Sequence, residues 1–190
     1  MTTTAKRAQA ARAHHEELPA PASYKVSEKI EPYGQTAGGD ASMNQWLNFR
    51  EVFQSTPVKR IDLIRKGVNA ADFKLFVSRL DIQQEKIFLM LDIATATVNR
   101  KASRNEALSQ EDSEKVVGMA KLIGQVETLL EESGDPEAMH GFDAAKWLAH
   151  WMEEPIPALG GAAPADYMDT IEGQEMISRV LATMQTGAYA

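Results

Sequence analysis

Gln84-Glu85-Lys86-Ile87-Phe88-Leu89-Met90-Leu91-Asp92-Ile93-Ala94-Thr95-Ala96-Thr97-Val98-Asn99-Arg100-Lys101 is the stretch whose reading decides the fold. Ile87, Phe88 and Leu91 recur at the spacing of one helix face, with Ile87 and Leu91 turned to a core. Leu91-Asp92-Ile93 leaves room only for a tight turn, and Ala94–Lys101 reads as a short second helix with Val98 buried. That layout is a helix-turn-helix, and it leaves Thr95, Thr97, Asn99 and Arg100 available to a major groove. Arg100, Lys101 and Arg104 lie where a recognition helix meets phosphate, and each phosphate neutralised adds salt-dependent affinity. Hydroxyls and Asn can donate to phosphates or base edges. Two positions depart from the pattern. The turn wants Gly for positive φ and has Asp92, and Phe88 stands where a small residue lets the helices approach. The same unit could serve for dimerisation alone.

Outward from this stretch the periodicity stays helical. Ile61, Ile64 and Val68 recur at three and four and run to Gly67-Val68-Asn69, while Phe73, Phe76, Val77 and Leu80 make another stripe. Ser109, with Asp112 three residues on, resembles a capping box that opens a long helix. Val116, Val117, Ala120, Ile123, Val126, Leu129 and Leu130 give that helix its apolar face as far as Gly134-Asp135-Pro136. No segment alternates with period two, so the chain reads as all-α. Order is expected to begin near Asn44, where Trp46, Leu47, Val52 and Phe53 form an anchoring helix. Residues 1–42 read as a disordered, flexible N-terminal tail, because Pro19, Pro21 and Pro32 interrupt any helix and few large apolar residues are present. The expected units are thus 1–42 as tail, 43–132 as a helical dimerisation and DNA-binding domain, and 133–190 as a C-terminal domain.

Composition bounds the function. The 190 residues are 44% hydrophobic and 25% charged, which suits a globular protein rather than a disordered or membrane one. No apolar run nears the ~18 residues of a membrane span, and Met1–Arg12 lacks the apolar core of a secretory signal. The chain is therefore expected in the cytoplasm. It has no cysteine, which removes disulfides, thiolate metal sites and a Cys nucleophile. The four histidines have no partner at metal or triad spacing, and Glu153-Glu154 point apart on a helix, so no catalytic residues, metal or cofactor are expected. Charge is divided: residues 58–104 hold 10 Lys/Arg and 5 Asp/Glu, whereas residues 131–190 hold 2 and 11. Two surfaces for partners of opposite sign follow from that split.

The last sixty residues carry a helix with Trp147 and Trp151 four apart, stacked on one face and expected in a core. Pro155 and Pro157 end it, and Gly160-Gly161 supplies a turn. Thr170 can cap a final helix with Glu172 at its positive end, and Ile171, Met176, Ile177, Val180, Leu181 and Met184 form its expected buried stripe. Gly187 reads as the C-cap, leaving Ala188-Tyr189-Ala190 as a small apolar tail suited to entering a partner.

Ala158-Leu159-Gly160-Gly161-Ala162-Ala163-Pro164, Thr170-Ile171-Glu172-Gly173, Val180-Leu181 and Gly187 recur here in a specific order. Together with Arg65-Lys66-Gly67, Leu91-Asp92-Ile93, Thr97, Arg100-Lys101 and Leu108-Ser109, they resemble the MbcA/ParS/Xre antitoxins of RES–Xre toxin–antitoxin modules. The resemblance runs from about Val58 to the end. It implies an Xre-like helix-turn-helix domain followed by a small helical toxin-binding domain. It implies a partner, a RES-domain toxin that degrades NAD, whose active-site entrance the antitoxin's end blocks. Gly187, Ala188, Tyr189 and Ala190 would form the plug, with Arg179 and Met184 nearby. It further implies a homodimer, a larger hetero-oligomer with toxin, and binding to the operator of its own operon. The alternative is a stand-alone helix-turn-helix transcriptional regulator with a C-terminal oligomerisation domain.

Overall fold

The computed structural model describes residues 45–133 and 141–185, and these form helices joined by short turns. The expected tail at 1–42, the boundary at Gly134-Asp135-Pro136 and the residues from Thr186 onward lie outside the described residues. In chain order the helices are α1 (Phe49–Gln54), α2 (Pro57–Lys66), α3 (Ala70–Val77), α4 (Gln84–Met90), α5 (Thr95–Ser103), α6 (Gln110–Ser133), α7 (Ala144–Trp151) and α8 (Ile171–Gln185). Among the described residues there is no strand, only one isolated antiparallel bridge between Asn69 and Ala107. No helix there is long and apolar enough to cross a membrane.

Local chemistry sets most helix starts. The Asn48 amide oxygen accepts from the Glu51 N–H (3.3 Å), Thr56 Oγ1 from Lys59 (3.4 Å), and Asn69 Oδ1 from Ala71 (2.8 Å). Each satisfies an amide that the first helical turn cannot bond internally. Ser109 Oγ likewise accepts from Asp112 N–H (3.0 Å), which makes the expected cap of α6. Ends are set as well. The Arg60 guanidinium reaches back to the Ser55 carbonyl, and to that of Val52 at 3.3 Å, satisfying carbonyls of the last turn of α1 and of the residue that follows it.

Two stripes differ from expectation. Trp46 and Leu47 belong to a 3-10 turn (Gln45–Leu47) rather than to α1, and the buried aromatic of α1 is Phe49, with Phe53 half-buried. In α2 no residue is fully buried, and Ile61 is 43% exposed. That helix lies along α6 with Leu63 and Ile64 turned inward, so its seam is rotated away from Ile61. Phe73, Phe76, Val77 and Leu80 are buried as their spacing demands.

Helix α6 is the spine. It packs against α1, α2, α7 and α8, and its Val116, Val117, Ala120, Ile123 and Val126 are buried. Two glycines allow the close approaches. A Cβ at Gly124 would lie 1.9 Å from the Phe49 carbonyl oxygen, and one at Gly118 would lie 1.6 Å from Gln174 Oε1. Trp46, Phe73 and Phe88 on one side, and Leu148, Met152 and Met168 on the other, join one continuous apolar core. Burying side chains of that size stabilises by about 1.5–3 kcal/mol each.

Glu127, also on α6, has its pKa raised, because burial disfavours the carboxylate and Asp143 repels it. Arg50 opposes both, through its charge and a backbone N–H. A carboxyl raised on folding contributes stability that is present below the unfolded value of 4.5 and lost as pH rises through the folded value. Glu127→Gln should therefore raise the melting temperature at pH 7, with the gain vanishing as pH falls below about 4.5. Gly124→Ala forces a methyl into backbone that cannot yield, and should cost about 3 kcal/mol in a urea titration.

Candidate functional site

The helix-turn-helix forms around a left-handed residue that is not glycine. Asp92 has φ 48°. The Ile93 N–H donates to the Phe88 carbonyl (2.8 Å) and the Asp92 N–H to that of Leu89 (2.9 Å). These two bonds make a Schellman close of α4, which satisfies carbonyls the helix leaves open. Phe88 and Ile93, the residues that flank the motif, are both buried. Phe88 is accommodated because its ring meets Phe73 at 5.6 Å instead of α5 having to approach more closely. The Lys115 ammonium, on an almost fully buried side chain, lies 3.4 Å from the Asp92 carbonyl oxygen and 3.8 Å from its carboxylate. A cation at a helix C-terminus offsets the carbonyl dipoles that an Asp there would otherwise oppose. The departures at Phe88 and Asp92 thus have local compensation.

Helix α5 runs two residues beyond Lys101, with Ala94 as its cap position and Val98 buried. Asn99 and Arg100 are exposed, and Thr95 and Thr97 half-exposed. The six residues singled out for DNA are not equivalent. Asn99 Oδ1 accepts from Lys74 Nζ of α3 (2.6 Å), which pairs the amide with a second cation. Lys101 Nζ donates to the Ala107 carbonyl (2.8 Å), so it holds the turn that follows α5. Arg104 lies 3.9 Å from Glu106, both exposed. Arg100 is exposed, beside Ser103, whose hydroxyl donates to the Arg100 carbonyl.

The C-terminal unit is built on α7 and α8. Asp143 Oδ1 accepts from Lys146 N–H (3.0 Å) and starts α7. Trp147 and Trp151 stack at 5.8 Å with planes 12° apart, Trp151 buried and Trp147 half-buried. The chain then turns back. Ile156 N–H donates to Ala162 O (3.1 Å), Ala165 N–H to Met152 O (2.9 Å), and Gly160 and Gly161 take φ of 67° and 90°. No heavy atom would meet a Cβ at either glycine, so backbone conformation alone selects them. Thr170 Oγ1 accepts from Gly173 N–H (3.1 Å), which makes the expected cap of α8. Ile177, Val180 and Leu181 are buried, whereas Ile171 is 42% exposed and Met176 and Met184 half-buried, so the inward stripe is narrower than its spacing suggested.

Between α8 and the returning turn lies an open cleft of about 820 Å³, lined among others by Ala158, Tyr167, Met176, Arg179, Val180 and Thr183. Arg179, one of the residues expected to meet a toxin, lines it, and its guanidinium lies 3.4 Å from Glu172. Met184 packs against the core instead, and Gly187, Ala188, Tyr189 and Ala190 lie outside the described residues. Sequence periodicity missed Met176 as a cleft residue because it fits the expected buried stripe of α8, and Tyr167 because it lies in the 3-10 turn Pro164–Tyr167, outside any helix stripe. The C-terminal unit is tied to the rest by polar contacts too. Gln174 Nε2 donates to the carbonyls of Lys115 (3.1 Å) and Met168 (2.9 Å), and Gln125 exchanges bonds with Ser178. Lys86 of α4 pairs with Glu153 at 2.5 Å.

Two family models match this architecture. Residues 59–121 match the antitoxin Xre-like helix-turn-helix domain, and residues 137–187 match the antitoxin Xre/MbcA/ParS C-terminal toxin-binding domain. The chain is also similar to the Prs ADP-ribosylating antitoxin of Sphingobium sp. (strain YBL2). The two are 49% identical over 142 residues, which cover 75% of this chain and 87% of that relative. On the order of its two units and on this identity, the chain belongs to the Xre/MbcA/ParS family of antitoxins.

Proposed function

We propose that this antitoxin neutralises a RES-domain toxin that consumes NAD, by direct binding, with residues 187–190 and Arg179 and Met184 at the contact. Acting through binding, it needs no catalytic residue or cofactor of its own. The observation that carries the reading is the 49% identity to an antitoxin over 142 residues. That relative's name couples the antitoxin to ADP-ribosylation of Prs. ADP-ribosyl transfer draws on NAD as donor, which favours it over hydrolysis or phosphorolysis as the partner's chemistry. Electrostatics supports the pairing as well. A toxin pocket built for a dinucleotide pyrophosphate is electropositive, and the acidic C-terminal unit would be steered to it.

The same reading gives the helix-turn-helix a second role, binding the operator of its own operon as a homodimer in the cytoplasm. Thr95, Thr97, Asn99, Arg100, Lys101 and Arg104 are the proposed contacts, with Arg100 foremost because its guanidinium faces outward. Residues 43–132 and 133–190 then divide DNA and toxin binding between them, although both share α6.

Two experiments test these roles. NAD consumption by the product of the adjacent reading frame should stop with the full chain and continue with a chain ending at Thr186. Equal inhibition by both would remove the plug from the proposal, and no inhibition by either would favour the stand-alone regulator. In operator titrations, Arg100→Ala should lower the slope of log affinity against log salt by about 0.9, one phosphate's share. Lys101→Ala should act differently, lowering the melting temperature through the lost bond to Ala107 along with any loss of affinity. An unchanged salt slope for Arg100→Ala would take that residue off the phosphate contacts.

A further inference from the structure

Helix α3 packs against α5, and in the exposed margin of that contact Lys74 Nζ donates to Asn99 Oδ1 at 2.6 Å. The bond is short, as charge-assisted bonds are. An ammonium only donates, so the amide atom that meets it is the oxygen. The amide nitrogen is left on the other side with two hydrogens to give. The second lone pair of the oxygen lies beside a full positive charge, and a base amino group brought to it would set donor against donor. Three groups here then present hydrogens alone: the Lys74 ammonium, the Asn99 amide nitrogen and the exposed Arg100 guanidinium. Helix α5 carries no acidic side chain to reverse that sign. Lys101, the next cation, is held by the Ala107 carbonyl (2.8 Å) instead.

We propose that Lys74 is a positioning residue that turns Asn99 from an adenine reader into a guanine reader. A free Asn amide matches adenine in the major groove, giving a hydrogen to N7 and taking one from the N6 amino group. With its oxygen held by Lys74, the amide loses the accepting half of that pair. Guanine offers the groove two acceptors, N7 and O6, and no donor, so it meets a donor-only site without conflict. Thymine offers one acceptor, and cytosine presents only its amino group, which this site refuses most strongly. Lys74 stands on a different helix from the residues that face the groove, and it acts by fixing which atom of Asn99 is presented. The inference rests on the operator-binding role proposed above and names the base chemistry of one position in that operator.

The test is selection by the full chain from a pool of duplex DNA with randomised positions, followed by sequencing and by salt titration of the selected duplexes. The unaltered chain should enrich a site, and Asn99→Ala should lose its preference at one position, which marks the base read by residue 99. There the unaltered chain should favour guanine over adenine by about tenfold. Lys74→Met keeps the stem and removes the charge, and it should reverse that preference to adenine. Lys74→Arg, which still only donates, should keep guanine. The melting temperature of Lys74→Met should be unchanged, because an exposed bond adds little to stability. Adenine at the marked position for the unaltered chain, or guanine retained in Lys74→Met, would overturn the inference. So would the absence of any position that responds to Asn99→Ala. If Lys74→Met weakens all duplexes alike and lowers the salt slope by about 0.9, the pair holds a phosphate rather than a base, and the inference also fails. All of these results leave operator binding standing. If the unaltered chain enriches no sequence, operator binding itself falls and takes the inference with it.

Discussion

At two glycines on α6, other parts of the chain come closer than any side chain would allow. At Gly124 the backbone of α1 lies against the helix, and at Gly118 the Gln174 amide occupies the space a methyl would fill. Everything else is arranged around these two approaches. The first draws Trp46 and Phe49 onto the aromatic cluster of Phe73, Phe76 and Phe88. The second brings α8 onto α6, where Gln174 satisfies the Met168 carbonyl and reaches the Lys115 carbonyl as well. A buried amide with both contacts made costs little, and one left without them would cost ~1–3 kcal/mol. Close backbone contact and a satisfied buried amide therefore depend on each other here.

Lys115 joins the two units electrostatically. Its carbonyl faces α8, while its ammonium lies at the turn of the helix-turn-helix, beside Asp92 and 3.9 Å from Glu111. The carboxylates it meets are largely exposed, so they keep water while the cation loses most of its own. Such an arrangement adds little net stability, since desolvation of the ammonium offsets most of the attraction. Its effect is positional. It offsets the charge of an Asp at a helix C-terminus, where the family pattern would have glycine.

Much of this was legible in the sequence, for definable reasons. Helix periodicity located α3, α4 and α6 because Phe73, Phe76, Ile87, Leu91 and Ile123 each have one buried face and no competing role. The caps at Ser109 and Thr170 were legible because hydroxyl capping is a local interaction. The seam of α2 was not, because Ile61 and Leu63 are equally apolar and only packing against α6 decides between them. The left-handed turn at Asp92 was expected to be a weak point. Its remedy, Lys115, lies 23 residues away and forms no local pattern. The cleft was hidden for a similar reason. Met176 fits an apolar stripe, Tyr167 lies in the 3-10 turn before α8 where no periodicity applies, and only the fold brings the two to one opening.

The shared spine has a bearing on how such proteins can diversify. Two matched units on one chain invite the idea that nature, or an engineer, could exchange them like cassettes. Here the junction of recognition specificities is not the loop after α6 but the surface of α6 itself. A graft joined after Ser133 would bring in a new residue at position 174 against an inherited Gly118, and a new residue at position 178 against Gln125. Viable recombination would carry α6 along with whichever half it must fit, or change position 118 and position 174 together. New pairings of operator and toxin would then arise by coordinated drift along one helix rather than by shuffling.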